Sequence, residues 1–248
     1  MSLVIIGLVG AKGAGKSTFA RIAKEVLPNA VEGALANRLK DVCARVFQVP
    51  RGSFDHPDQK ERYLGNQYVQ VPGSKAEFAP RGGPIRLNEH TVAQCVDSFG
   101  YQPSQDNVYS HTDKTLYTPR QLAQYVGTEV LRSLDPDVHC KGLMMDAPKE
   151  GILIVTDIRF PNERAFFEKL AGDLFFPVYV RNERAEAEAA KDPHQSEQHL
   201  KAISEDCYVA ENDGTLEEFE AAIKSHCQSI IEILSPPVVV EEETKESA

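Results

Sequence analysis

The residues Gly10-Ala11-Lys12-Gly13-Ala14-Gly15-Lys16-Ser17 fit G-x-x-x-x-G-K-[ST] in full. The chemistry of that spacing is the cradling of phosphates. Glycines let the backbone turn tightly and aim several N–H groups inward, and a following helix start adds partial positive charge. Lys16 would reach the β- and γ-phosphates, and the Ser17 hydroxyl would ligate Mg²⁺. A glycine-rich turn without chemistry is the alternative. The flanks argue against it: the apolar run Leu3–Val9 precedes the motif, and a helical pattern, Thr18–Leu27, follows it. Strand, loop and helix in that order imply a nucleoside triphosphate site.

Other charged positions must choose among phosphate chemistries. Asp157 ends the apolar run Ile152–Thr156, at what would be the carboxyl edge of a sheet. There it would hold Mg²⁺ directly or through water; the alternative is a strand-end carboxylate capping the next helix. Arg159 stands two residues on, with Asn162 and Glu163 after it, and would face substrate phosphate or make a local ion pair. Arg181 and Arg184 flank the end of the next strand. Either would close over the triphosphate as charge develops in the transition state. The Ala/Glu-rich stretch after them reads as a lid helix or as an ordinary solvated one. Arg120, Glu129 and Arg132 share one expected helix, with Glu129 and Arg132 spaced as an ion pair. They would line an acceptor pocket or form a solvated face. No histidine stands out as a general base. A phosphate acceptor is ionised near neutral pH and needs none, so the pattern leans towards phosphate rather than alcohol as acceptor.

These side chains need a scaffold. Buried strands are expected at 3–9, 151–156 and 174–181, with a short one at 207–210, because they are almost continuously apolar. Helices are expected at 16–27, 34–47, 57–64, 119–134, 161–171, 183–191 and from Thr215 to about 234. Thr118 and Thr215 are N-cap candidates, and Pro119 sits at a first helical position. Strands alternating with helices predict an α/β fold with a parallel sheet covered on both faces. Residues 65–118 are broken by Pro72, Gly73, Pro80, Gly82, Gly83 and Pro84, and are too long for a plain connection. They read as an inserted arm over the acceptor site with some strand pairing. The core is thus 1–64 plus 119–235, with a lid near 182–196. Residues 236–248 read as an acidic, disordered tail.

The 248 residues are 42% hydrophobic with a net charge of −10, which argues against a nucleic-acid partner bound through a broad basic surface. Five widely spaced cysteines without C-x-x-C suggest neither a disulfide frame nor a zinc site. The first apolar run lacks a basic flank and no run is long enough to span a bilayer, so a soluble, cytoplasmic protein is expected.

Several segments together resemble the phage-type deoxynucleoside monophosphate kinases. They are Ile6–Thr18, Leu35–Lys40, Pro119–Leu122 with Gly127-Thr128-Glu129, Thr156–Glu163, Ser196-Glu197 and Asn212–Leu216. The stretch Asp157-Ile158-Arg159-Phe160-Pro161-Asn162-Glu163 is the most specific of them. The resemblance implies a three-layer P-loop kinase fold and Mg²⁺-assisted transfer of the ATP γ-phosphate to deoxynucleoside 5′-monophosphates. It further implies a homodimer, and DNA precursor supply in the host cytoplasm of a phage. By matching motif, Gly10, Lys12, Gly13, Ala14, Gly15, Lys16, Ser17 and Thr18 would hold the ATP phosphates. Asn212 and Gly214 would lie in the turn near adenine. Arg38, Lys40, Arg120, Glu129, Arg132 and Asp157 would serve the monophosphate, with Arg159 beside metal and substrate. Where the family pattern has an acidic residue in the Leu-Ala-x-x-Leu-Lys segment, this chain has Asn37. Two other readings compete: a P-loop kinase with an alcohol acceptor, resembling dephospho-coenzyme A kinase, and a catalytically silent nucleotide-binding protein.

Overall fold

A computed structural model of the chain describes residues 2–62, 64, 68–70, 78–80, 84–103, 111, 113–190 and 199–235, those at 57, 68–70 and 78–80 as backbone only. Strand β1 (Leu3–Val9) is its axis. Val4, Ile6 and Leu8 point to one apolar cluster and Ile5 and Val9 to another, so both faces are covered and the run cannot alternate with polar residues. β1 pairs in parallel with β7 (Gly151–Val155) on one side and β8 (Phe175–Arg181) on the other. β2 (Ala30–Gly33) extends the sheet beyond β7, and β9 (Tyr208–Glu211) extends it beyond β8, again in parallel. The resulting order is β2-β7-β1-β8-β9. Consecutive strands leave β1 first to one side and then to the other, which opens a crevice at the carboxyl ends of the central strands.

Helices cover both faces. α1 (Lys16–Val26) and α11 (Leu216–Leu234) pack Phe19, Ile22, Phe219, Ile223 and Ile230 onto one. α8 (Pro161–Ala171) and α10 (Leu200–Ser204) bring Phe167 and Ile203 to the other. The expected three-layer α/β sandwich is therefore present. α11 starts as expected at Thr215, whose Oγ accepts from Glu218 N at 3.2 Å while Glu218 accepts from Thr215 N at 2.8 Å.

A third cluster is mainly helical. It joins α2 (Leu35–Phe47) through Leu39, Val42 and Cys43 to α4 (Glu89–Asp97) through Val92, Cys95 and Val96. The third partner is the helix opening at α5 (Pro119–Gln124), with Leu122, Val126 and Val130. That helix is not regular. α5 passes into a π-helical turn, Tyr125–Leu131, before α6 (Arg132–Leu134) ends it. Thr118 caps it as expected, accepting from Gln121 N at 3.1 Å.

The structure adds elements that the sequence pattern did not announce. β2 has four residues, two of them exposed, so it carries little apolar signal. α4 lies inside the 65–118 region. Its stripe of Val92, Cys95 and Val96 is only one turn long, and the capping box of Asn88 and Thr91 supplies the start signal. α7 (Val138–Asp146) is buried on several sides, which erases helical periodicity. α3 (Pro57–Lys60) is a single turn rather than a helix to residue 64. Two antiparallel pairs accompany the arm: β3 (Tyr68–Gln70) with β4 (Phe78–Pro80), and β5 (Ile85–Arg86) with β6 (Thr115–Leu116). The acidic tail, most of the region beyond α9 (Glu183–Ala189) that was read as lid, and the Ser196-Glu197 pair lie outside the described residues.

Candidate active site

All the loops of the site leave the same edge of the sheet. The phosphate loop follows β1 and opens α1 with Gly15 as N-cap. Gly10 has φ +151°, and a Cβ there would stand 2.5 Å from Val180 O on the neighbouring strand. Only glycine fits that approach. Lys16 folds back over the loop, its Nζ donating to Gly10 O and to Ala11 O at 2.7 Å. Ser17 is exposed on the first turn of α1.

Beside the loop lies a cavity of about 560 Å³ between α2, the 119–134 helix and the turn after β7. Cations gather on it: Lys12 from the phosphate loop, Lys40 from α2, Lys60 from α3, Arg120 from α5, Arg132 from α6, and Arg159. Burial, then the charges of Lys40, Arg120 and Lys12, lower the pKa of Lys60 despite the opposing pull of Asp55. Lys40 bonds Asp55 at 3.0 Å and Arg120 pairs with Glu61. Apolar walls come from Leu39, Phe54, Ala123 and Phe160, and polar groups from Gln124 and Thr128. A Cβ at Gly127 would stand 2.6 Å from Leu39 Cδ2, so this glycine lets the π turn close onto α2.

The turn 156–163 is held by its own carboxylates. Asp157 accepts from Leu35 N at 2.7 Å and from Ala36 N at 3.4 Å, capping α2 across 122 residues of chain. The sequence raised capping of the next helix; the helix capped is α2. Glu163 is only 2% exposed. It accepts from Arg159 N at 2.8 Å, Phe160 N at 3.1 Å and Arg132 Nη2 at 2.5 Å. Burial raises its pKa, opposed by Arg159 N and Arg132. Arg132 also lies 4.3 Å over the Phe160 ring. His139 forms part of the wall, its Nε2 3.1 Å from Gly127 O; burial and then Arg132 lower its pKa to about 4.

Two residues expected to serve the monophosphate, Arg38 and Glu129, stand apart from the cavity. Arg38 points to the other flank of α2, bonding Asp146 at 2.9 Å and Ser98 O at 2.8 Å. Asn37 lies on that flank too, within reach of Arg51 at 3.4 Å. Glu129 is exposed, acting on His111 and Tyr125 instead of pairing with Arg132. The π turn between them changes the angular spacing on which the expected pair depended.

On the far side of the phosphate loop, Asn212 Nδ2 donates to Ala14 O at 2.7 Å and Asn212 N to Arg181 O at 2.9 Å. Asp213 accepts from Glu183 N at 2.8 Å, and Gly214 packs against Glu218. The 212–214 turn thus braces the phosphate loop against the start of α9. Arg181 bonds Glu211 at 3.1 Å and Glu183 at 3.5 Å, while Arg184 is exposed.

The sequence profile described as Deoxynucleotide monophosphate kinase matches residues 83–223, more than half of the chain. The chain belongs to this family. A protein of Acanthamoeba polyphaga mimivirus, provisionally named a deoxynucleotide monophosphate kinase, is 26% identical over 238 residues, covering 90% of this chain and 95% of that protein. A crystal structure of TT1252 from Thermus thermophilus matches 95% of this chain and 100% of that one, at 17% identity and a TM-score of 0.38. Membership in this kinase family agrees with a site that pairs a phosphate loop with a cationic cavity. Among the described residues no helix is long and apolar enough to cross a membrane. Two cavity residues of this family member escaped the sequence reading as site residues. Lys60 sits in a segment without periodicity. Glu163 was visible in the motif, but nothing in the sequence marks a glutamate as buried.

Proposed function

We propose that the protein transfers the γ-phosphate of ATP to a deoxynucleoside 5′-monophosphate held in the cationic cavity, giving the diphosphate and ADP. The observation that carries this reading is the wall of that cavity. Its cations converge on one volume, while each of its carboxylates, Asp157 and Glu163, is engaged by backbone N–H groups. Among the described residues of that wall Glu163 has both oxygens committed, Asp157 spends its short bond on Leu35 N, and burial makes His139 a weak base, so none is poised to deprotonate an alcohol. A monophosphate needs no such base, because its oxygen is already an anion.

In this reading Lys12, Lys40, Lys60 and Arg120 hold the acceptor phosphate, and its oxygen attacks the γ-phosphorus in line as the bond to the β-phosphate oxygen breaks. The backbone of residues 10–15 and Lys16 hold the donor phosphates, for which Lys16 exchanges its bonds to Gly10 O and Ala11 O. Ser17, exposed at the start of α1, and the free lone pairs of Asp157 fit a hydrated Mg²⁺. When bound, that ion neutralises charge on the transferring phosphates. Arg181 or Arg184 adds positive charge on the donor side once Arg181 leaves Glu211 and Glu183. The remainder is positioning rather than covalent chemistry.

The test is ADP release from Mg²⁺–ATP with dAMP, dGMP, dCMP, dTMP and their ribo counterparts, with Lys16→Ala as control. Stimulation by deoxynucleoside monophosphates that is lost in the variant supports the reading. ATP binding with no stimulation by any monophosphate refutes it, and moves the assignment to an alcohol acceptor or a silent nucleotide-binding protein.

A further inference from the structure

Glu163 does not face the cavity as a free acid; it gathers three donors from two parts of the fold. Two are the consecutive amides Arg159 N and Phe160 N, and the third is Arg132 Nη2, 31 residues away in sequence. Arg132 is fixed from two further directions, by the Phe160 ring at 4.3 Å and by Pro136 O at 3.4 Å. The Arg132 side chain is 19% exposed, so part of it still reaches the cavity it lines. A carboxylate this buried costs free energy unless its bonds are complete, and here both oxygens are used. Asn162 secures the same junction, its Nδ2 donating to Pro136 O and to Asp137 Oδ1 at 2.9 Å each.

We infer that Glu163 is a positioning residue: its buried carboxylate locks the Arg132 guanidinium and the Arg159–Phe160 turn into one rigid wall of the acceptor cavity. The inference about acceptor use rests on the function proposed above; the locking of Arg132 does not. An arginine fork held on one side by a carboxylate and on a face by a ring has its remaining N–H groups aimed in one direction. The acceptor therefore meets an arginine already oriented, with little side-chain entropy left to lose.

Two measurements separate the parts of the inference. In the protein without substrate, ¹⁵N NMR of the arginine side chains should show resolved, slowly rotating Arg132 Nη signals, identified by their loss in Arg132→Lys. Those signals should average in Glu163→Gln. An Arg132 guanidinium that rotates freely in the unmodified protein overturns the locking, whatever the enzyme's substrate. In steady-state assays Glu163→Gln should raise KM for the acceptor by about 2- to 10-fold, the cost of ordering one long side chain on binding, with KM for ATP little changed. Combining Glu163→Gln with Arg132→Met should do less harm than the two single losses added, because part of what Glu163 does passes through Arg132. Additive losses, or equal losses in both KM values, overturn the positioning role. Glu163→Asp, with its melting temperature measured alongside, serves if the Gln variant does not fold. It keeps the charge but shortens the reach, and should fall between the unmodified protein and Glu163→Gln in acceptor KM; an acceptor KM equal to that of the unmodified protein overturns the role. Absence of phosphoryl transfer in the unmodified protein refutes the proposed function and leaves the NMR result to decide the locking.

Discussion

Replacing Asp157 separates two jobs that one carboxylate could hold. The structure gives it a structural one: the 2.7 Å bond from Leu35 N and the 3.4 Å contact from Ala36 N close the N-terminus of α2. Asp157→Ala removes both acceptors. Of the two, the short bond carries nearly all the strength, since 3.4 Å is at the weak end of hydrogen bonding. A lost N-cap costs about 0.5–2 kcal/mol, and this partly buried, charge-assisted one belongs near about 2. For a chain of this size about 2 kcal/mol lowers Tm by roughly 4–8 °C. Asp157→Asn keeps an oxygen for Leu35 N and should cost about 1 kcal/mol or less. Activity sorts the variants differently. If the carboxylate also serves Mg²⁺, both lose kcat by orders of magnitude although Asn keeps the fold; if it only caps α2, Asn retains kcat. Thermal melts and ADP-release kinetics on the same preparations read both jobs. An unchanged Tm in Asp157→Ala would refute the capping argument. Full kcat in Asp157→Asn would exclude Asp157 from holding Mg²⁺.

Lys16→Ala should abolish turnover with a native circular dichroism spectrum, since its two bonds to loop carbonyls are dispensable for folding; near-normal turnover in a folded variant would sink its role. Lys60→Gln should raise acceptor KM by about 10- to 100-fold, the worth of one charge-assisted hydrogen bond, and leave KM for ATP unchanged in the same assay. Arg181→Ala or Arg184→Ala should lower kcat by about 10³-fold if either closes on the donor; unchanged kcat in both removes that proposal. Burial lowers the pKa of His139 and of His226 to about 4 from 6.5, so each folded site resists a proton that the unfolded chain accepts. Stability should therefore fall as pH drops from about 6.5 to about 4, by up to about 3 kcal/mol per histidine. Urea unfolding across that range checks it, and His226→Phe should flatten the slope.

The sheet was legible because β1, β7 and β8 are buried on both faces and so read as unbroken apolar runs. The phosphate loop was legible because backbone conformation dictates its glycines. The cavity was less so, because its cations come from elements whose phase the sequence hides. Arg38 and Lys40 are two residues apart on α2, and only the packing of α4 and α7 decides which turns to the cavity. The Glu129–Arg132 spacing was sound for a regular helix and failed on a π turn that no residue type announces. Lys60 emerged only when α3 was placed against α5.

Two close-packed glycines of the site, Gly10 and Gly127, differ in how they can change over generations. At Gly127 the obstacle to a methyl group is the end of a leucine side chain, Leu39 Cδ2. A smaller residue at 39 makes room, so a second substitution can rescue the first. At Gly10 the obstacle is Val180 O, a backbone atom that all twenty amino acids carry alike. No change of side chain at 180 can move it. Screens for suppressors should recover partners for Gly127→Ala and none at position 180 for Gly10→Ala, leaving the turn of the phosphate loop with no mutational detour through its nearest neighbour.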